Sequence, residues 1–169
     1  AKGLFQEDHP SFIGTYWGVV GSPNCSEIIE SSDCQIFAGP LFNDYTTTGW
    51  TTLTPEAKLL HVGPDFLRMQ GADFSGISLK GFLEALASEV KANDTSLVSY
   101  RRQHEPPAAQ IAAADSAPLS LKELLRQFQE LVSPQSDIVV ETGDSWFNGQ
   151  KLRLPAGALY FFQMQYGSI

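Results

Sequence analysis

The sequence predicts an α/β fold, and three observations carry that prediction. Short apolar runs bounded by turn residues, at 34–38, 58–62 and 138–140, have the length and the β-branched or aromatic content of buried strands. Other stretches space their apolar residues three and four apart, which lines one face of a helix. The run at 138–140 passes directly into the polar turn Glu141-Thr142-Gly143-Asp144-Ser145-Trp146-Phe147. In an open α/β sheet, ligands sit beyond the carboxyl ends of the strands, so this turn is a candidate site.

Residues 1–23 hold Pro10, Pro23 and several glycines with Phe12, Tyr16 and Trp17 between them, and show no helical period. They predict an ordered loop with packed aromatics. Asn24 is placed to cap a short helix ending near Asp33, with Glu27 completing a capping box. The strand at 34–39 is stopped by Gly39-Pro40 and followed by the polar loop Asn43-Asp44-Tyr45-Thr46-Thr47-Thr48. The strand at 58–62 closes at Gly63-Pro64-Asp65, and Phe66-Leu67-Arg68-Met69 adds a short extended piece. Ser78 precedes Leu79, Phe82, Leu83, Leu86 and Val90, a helix expected to cover the sheet, and Asp94 is placed to cap another through Tyr100.

Residues 104–118, with Ile111 their only large apolar side chain, have the composition of an interdomain linker. Ser120 and Glu123 predict a second capping box, opening an amphipathic helix through Leu121, Leu124, Leu125, Phe128, Leu131 and Val132 that Ser133-Pro134 ends. After the strand and the polar turn come a short helix at 145–150 and an apolar strand at 159–162.

Composition narrows the function. Eleven basic against nineteen acidic residues give a net charge of −8, and no basic cluster exceeds Arg101-Arg102. A nucleic-acid footprint needs a basic face that displaces counterions from phosphate, so nucleic acid is not an expected partner. No run of 18 apolar residues occurs, so no membrane partner is expected either. Cys25 and Cys34 are too few for a zinc ribbon and suit a reduced, cytoplasmic chain.

Among candidate chemistries, Glu7-Asp8-His9 reads as a polar loop, because adjacent residues point in different directions on regular backbone. His61 lies within a strand and His104 at the linker. The Gly-x-Ser-x-Gly, phosphate-loop and Gly-x-Gly-x-x-Gly signatures are absent. Thr142, Asp144 and Ser145 are better placed, at a strand-to-helix turn whose backbone N–H groups suit an anion. A carboxylate repels a diphosphate, so Asp144 is expected to act through its backbone and as an N-cap, or only to cap. Gly167-Ser168-Ile169 follows an aromatic strand, and its glycine allows a ligand close to the backbone.

These segments together resemble the thiamine-diphosphate-dependent pyruvate decarboxylases. The resemblance runs through Lys2-Gly3, Glu7-Asp8-His9-Pro10, Gly14-Thr15-Tyr16-Trp17-Gly18, Phe42-Asn43-Asp44-Tyr45 and Gly49-Trp50. It resumes at Glu141-Thr142-Gly143-Asp144-Ser145-Trp146-Phe147-Asn148 and at Gln163-Met164-Gln165-Tyr166-Gly167-Ser168-Ile169. It implies a Rossmann-like parallel sheet flanked by helices, a middle domain truncated at its N-terminus, over residues 1–103. The linker at 104–118 and the first βαβ part of a diphosphate-binding domain at 119–169 would follow.

The resemblance further implies thiamine diphosphate and Mg2+ as cofactors, with Thr142, Asp144, Gly167, Ser168 and Ile169 binding the former. By resemblance the Gly167 carbonyl accepts from the aminopyrimidine, and the Ile169 side chain holds the two rings in their bent arrangement. The implied reaction is non-oxidative decarboxylation of pyruvate to acetaldehyde and carbon dioxide through the cofactor ylide, in a cytoplasmic homo-oligomer, a dimer of dimers. The catalytic glutamate and the magnesium-binding Gly-Asp-Gly motif would lie outside these residues. The chain is therefore expected to be a fragment with no catalytic residue, no metal ligand and no activity alone, and to expose Phe161, Phe162 and Ile169. The alternatives are a decarboxylase of indolepyruvate or another 2-oxo acid, and a non-catalytic α/β module that binds a nucleotide or a subunit.

Overall fold

Four short strands, β1 (Gln35–Ala38), β2 (Leu59–Val62), β3 (Phe66–Met69) and β4 (Ala72–Ser75), hydrogen-bond in the order in which the chain makes them. In this computed structural model, which describes residues 2–52, 54–104 and 116–163, they belong to the compact unit Tyr16–His104. A second unit joins Ala1–Thr15 to Glu105–Ile169. The α/β class holds, but the four-stranded sheet is mixed. β1 and β2 are parallel, with Phe37 opposite His61, whereas β2, β3 and β4 form an antiparallel meander.

The sequence gives no strand after Met69, yet the chain reverses there and makes β4. Gln70 and Gly71 both take positive φ, 50° and 77°, the backbone of a two-residue hairpin loop whose twist matches its strands. Glutamine in place of the usual Asn or Asp conceals that turn. Before β3, Gly63 leaves room for the Phe66 ring, since a Cβ there would fall 2.0 Å from it. Val62 and Leu67 are buried at the centre of the sheet.

Among the described residues three α-helices belong to this unit: α1 (Cys25–Ser31), α2 (Leu79–Glu89) and α3 (Thr95–Gln103). The expected capping box at Asn24 and Glu27 does not form. Asn24 sits at φ 63°, outside the extended region that a capping side chain needs, and its amide instead donates to the Gln103 carbonyl at 3.3 Å. Asp94 makes no cap bond either, its backbone at φ −107° and ψ 9° lying outside the extended region, and α3 runs three residues past Tyr100 to Gln103. Ser78 does cap α2, accepting from the Gly81 N–H. The covering role expected of α2 is slight: Leu79, Phe82 and Leu86 are half-buried and none of its residues is buried.

The loop after β1 is ordered by its own side chains. Asn43 N–H donates to Thr46 Oγ1 at 2.9 Å and Thr46 N–H to Asn43 Oδ1 at 2.8 Å, a reciprocal pair of the capping-box kind. The same loop ends in three consecutive left-handed residues, Thr48, Gly49 and Trp50, with φ of 52°, 71° and 62°. Trp50 is thereby turned out to solvent. The aromatics at the head of this unit pack as expected: Trp17 is buried, and the Tyr16 hydroxyl donates to Glu30 at 2.9 Å.

The second unit contains α4 (Leu121–Leu131), β5 (Asp137–Val140), α5 (Asp144–Gly149) and β6 (Leu159–Phe162). Most of the expected linker, 105–115, lies outside the described residues. Ser120 caps α4 through the Glu123 N–H, but the box is half made: the Glu123 carboxylate pairs with Arg126 at 2.7 Å. β5 and β6 are parallel, in the register Ile138 to Tyr160 and Val140 to Phe162. Ile138, Val140 and Phe162 pack against a core of Leu154, Ala158 and Tyr160, while Val139, Leu159 and Phe161 on the opposite face are exposed. Alternation along a strand thus separates the two phenylalanines expected to be exposed: Phe161 is, Phe162 packs inward.

Candidate functional site

β5, α5 and β6 follow one another as a strand, a short crossover helix and a parallel strand beside the first. The helix is fixed to the sheet by aromatic stacking. The buried Trp146 ring lies 5.1 Å from Phe162 at an interplanar angle of 15°, and 5.9 Å from Phe147. Gly149, at the end of α5, lets Tyr160 and Val140 come close, since a Cβ there would stand 2.9 Å from both the Tyr160 hydroxyl and Val140 Cγ1. Small size at 149 and large rings at 146 and 162 together set how near the helix lies.

This packing brings the carboxyl ends of both strands together at the predicted turn. Gln163 N–H donates to the Val140 carbonyl, and the Thr142 hydroxyl donates to the Gln163 carbonyl, so the ladder continues one step beyond the strands. Thr142 is half-buried, and its hydroxyl proton points to the Gln163 carbonyl.

The turn itself is glycine-dependent. Gly143, at φ 107° and ψ −145°, is the residue that caps α5, and its carbonyl accepts from the Trp146 and Phe147 N–H groups at 3.0 and 3.2 Å. That corrects the expectation for Asp144. It is the first helical residue rather than the N-cap, its side chain makes no cap bond, and its carbonyl accepts from Asn148 Nδ2 at 2.8 Å. Asp144 and Ser145 are exposed, and a carboxylate in the first turn complements the positive end of a helix. Gly167, Ser168 and Ile169 lie outside the described residues.

The other candidates fall elsewhere. Glu7, Asp8 and His9 do not converge: His9 Nδ1 accepts from the Ser11 N–H and its ring meets Phe5 edge-on, whereas Glu7 is buried. His61 sits between the Phe42 and Phe66 rings, each 5.2 Å away, and burial, reinforced by Arg68 and opposed by Asp73, lowers its pKa. His104 stacks on Tyr100 at 4.8 Å. Both cysteines are free; Cys25 is wholly buried and Cys34 exposed. Among the described residues no group of three or more His, Cys, Asp or Glu side chains is placed to hold a metal ion, and no helix is long and apolar enough to cross a membrane.

Sequence reasoning missed the buried pair Lys2 and Glu7, whose Nζ and Oε1 are 2.7 Å apart. The five-residue separation follows neither helical nor strand spacing, so only the fold reveals the pair.

Parallel strands, a crossover helix and a polar glycine turn at their shared carboxyl ends are the arrangement at whose strand ends α/β folds place ligands. The chain belongs to the thiamine pyrophosphate enzyme family, because residues 1–89 match that family's "Thiamine pyrophosphate enzyme, central domain". Its whole length is similar to plant enzymes. It is 45% identical over 169 residues to Pyruvate decarboxylase 4 of Arabidopsis thaliana, covering 99% of this chain and 28% of that one. It is 46% identical over 169 residues to Pyruvate decarboxylase 1 of Pisum sativum, again covering 99% and 28%. With Pyruvate decarboxylase 2 of Pisum sativum it shares 44% over 170 residues, 100% of this chain and 42% of that one. The chain thus spans less than half the length of these curated relatives.

A Cβ built on Gly143 meets none of the described residues beyond its chain neighbours within 4 Å. Exposed Asp144 and Ser145 border the turn, and Thr142 holds its two strands together beneath.

Proposed function

We propose that this chain is the central-domain and early diphosphate-domain part of a pyruvate decarboxylase, the limits being 1–103, 104–118 and 119–169. The observation that carries the reading is the placement of Thr142-Gly143-Asp144 at the common end of two parallel strands, in a chain 44–46% identical along its length to proteins named pyruvate decarboxylase. The division between compact units at His104 supports the second limit. The first fifteen residues cluster with the later unit, although the family match includes them.

In this reading Asp144, through its backbone, and the amides around it hold the diphosphate side of thiamine diphosphate, and Gly167, Ser168 and Ile169 its ring side. Thr142, at the same turn, binds the cofactor beside Asp144 and keeps the β5 and β6 ends in register. Once bound, the cofactor supplies an electron sink for the pair released when carbon dioxide leaves the 2-oxo acid. The side chains of this chain orient it and exclude water, while Mg2+ is held by residues outside the chain. The substrate is pyruvate, and the active protein is a cytoplasmic homo-oligomer, a dimer of dimers.

The test measures acetaldehyde and carbon dioxide from pyruvate with thiamine diphosphate and Mg2+ present. The intact polypeptide that carries this chain is expected to release both, and the 169 residues alone neither. Turnover by the isolated chain would overturn the reading, and so would an intact polypeptide that spares pyruvate and consumes indolepyruvate.

A further inference from the structure

The first residues of the chain dock on β6 through a charge pair that the decarboxylation reading leaves unused. Lys2 Nζ donates to Glu7 Oε1 at 2.7 Å, and Glu7 Oε2 accepts the Leu154 N–H at 3.0 Å, across 147 residues of sequence. Both side chains are 6% exposed. Lys2 Nζ also stands 5.8 Å from the centre of the Tyr160 ring, a cation over an aromatic face. The backbone follows closely: a Cβ on Gly3 would lie 3.1 Å from Tyr160 Cβ and 3.4 Å from Leu154 Cδ1.

Tyr160 is therefore gripped along its length. Lys2 and Gly3 hold the ring and its backbone, and Gly149 of α5 receives the hydroxyl, which is buried and makes no hydrogen bond among the described residues. Nothing anchors that hydroxyl by direction, so the ring's position depends on what presses upon it. A displaced Tyr160 meets α5 at Gly149, and α5 begins at Asp144; it also shifts β6, and Gln163, one residue past its end, accepts from the Thr142 hydroxyl.

We propose that Lys2 and Glu7 are positioning residues for the Thr142-Gly143-Asp144 turn, acting through Tyr160, α5 and β6. The proposal rests on the cofactor reading of that turn. A buried pair is costly to break one partner at a time, because the survivor keeps its charge without compensation, whereas removing both charges is far milder. Glu7→Gln and Lys2→Met should therefore each disturb the turn, and the double variant K2M/E7Q should recover most of the loss.

The experiment uses the intact polypeptide carrying the chain, without and with thiamine diphosphate. In the cofactor-free form, amide hydrogen exchange at residues 142–146 is expected to quicken at least tenfold in E7Q and K2M, and about threefold or less in K2M/E7Q. With cofactor, the single variants should raise its dissociation constant at least tenfold, with kcat at saturating cofactor within about twofold of the parent. If a single variant does not fold, the double variant and Glu7→Asp, which retains the charge, are compared instead. Exchange at 142–146 unchanged while the melting temperature falls would assign the pair a purely structural role and overturn the proposal. A parent protein that fails to bind thiamine diphosphate would overturn the cofactor reading instead, and the exchange comparison still decides this one.

Discussion

The two sheets begin alike, with parallel strands, and are held together in different ways. The sheet of β1 to β4 is knit by its backbone: a ladder runs across four strands, and two tight reversals keep β2, β3 and β4 adjacent in sequence as well as in space. The pair β5 and β6 has only one ladder, and two strands alone are marginal in water. Its cohesion comes from a few side chains, Trp146 on Phe162 and the Lys2-Glu7 arm on Leu154 and Tyr160. A small sheet can thus be as well defined as a larger one, but its stability is concentrated where single substitutions reach it.

The sharpest way to break the comparison is Trp146→Ala, expected to cost ~3–5 kcal/mol because it removes a buried ring and leaves a cavity. Denaturation followed by hydrogen exchange should show β5 and β6 amides losing protection while β2 and β3 keep theirs. Equal loss in both sheets would mean the two units unfold as one.

High pH should separate the units next. Burial, reinforced by Glu27, pushes the Cys25 thiol from 9.0 up to about 12, and burial, reinforced by Glu7, pushes the Tyr160 hydroxyl from 10.0 up to about 12. Between those values the folded state keeps a proton that the unfolded chain has lost, so stability falls as pH rises, by about 1.4 kcal/mol per pH unit for each group. The unit Tyr16–His104 should weaken from pH 9.0 and further from pH 10.0, where Tyr16, also raised to about 12 by burial, joins Cys25. The unit with Tyr160 should weaken only from pH 10.0. Lys2 opposes that loss, since its burial lowers its pKa and folding releases its proton, which favours the folded state as pH climbs towards 10.5. Thermal melts from pH 8 to 11, read unit by unit, check the order.

Gly149→Ala tests the contact between α5 and Tyr160 without removing any group. The new Cβ, 2.9 Å from the hydroxyl and from Val140, should destabilise the second unit by ~1–3 kcal/mol through overpacking. The smallest effects should come from the caps. Ser78→Ala and Ser120→Ala should each cost ~1 kcal/mol, against ~0.5 or less for Asp94→Ala, which loses no cap bond. Urea titrations resolve that difference.

Strands β1, β2, β3, β5 and β6 and helices α2 and α4 were legible because their apolar periods are local properties of the chain. Caps were less so, for a capping residue must also have the right backbone, and Asn24 at φ 63° does not. β4 was hidden for a related reason: Ala72 to Ser75 are all exposed, so no buried face marks them. The polar turn was visible as a strand end followed by Thr-Gly-Asp, but the division of labour within it was not. That Gly143 caps depends on its own backbone conformation, whereas that Thr142 gives its proton to Gln163 and that Lys2 reaches Tyr160 depend on residues far apart in sequence.

The left-handed run at Thr48, Gly49 and Trp50 has an optical consequence. Trp50 is 66% exposed, while Trp17 and Trp146 are 6% and 5% exposed. Iodide should therefore quench one tryptophan of the three in the native protein, and the emission that survives the quencher comes from two buried indoles, one in each compact unit. Replacing Trp50 by phenylalanine would leave a molecule in which each unit reports its own unfolding by its own light.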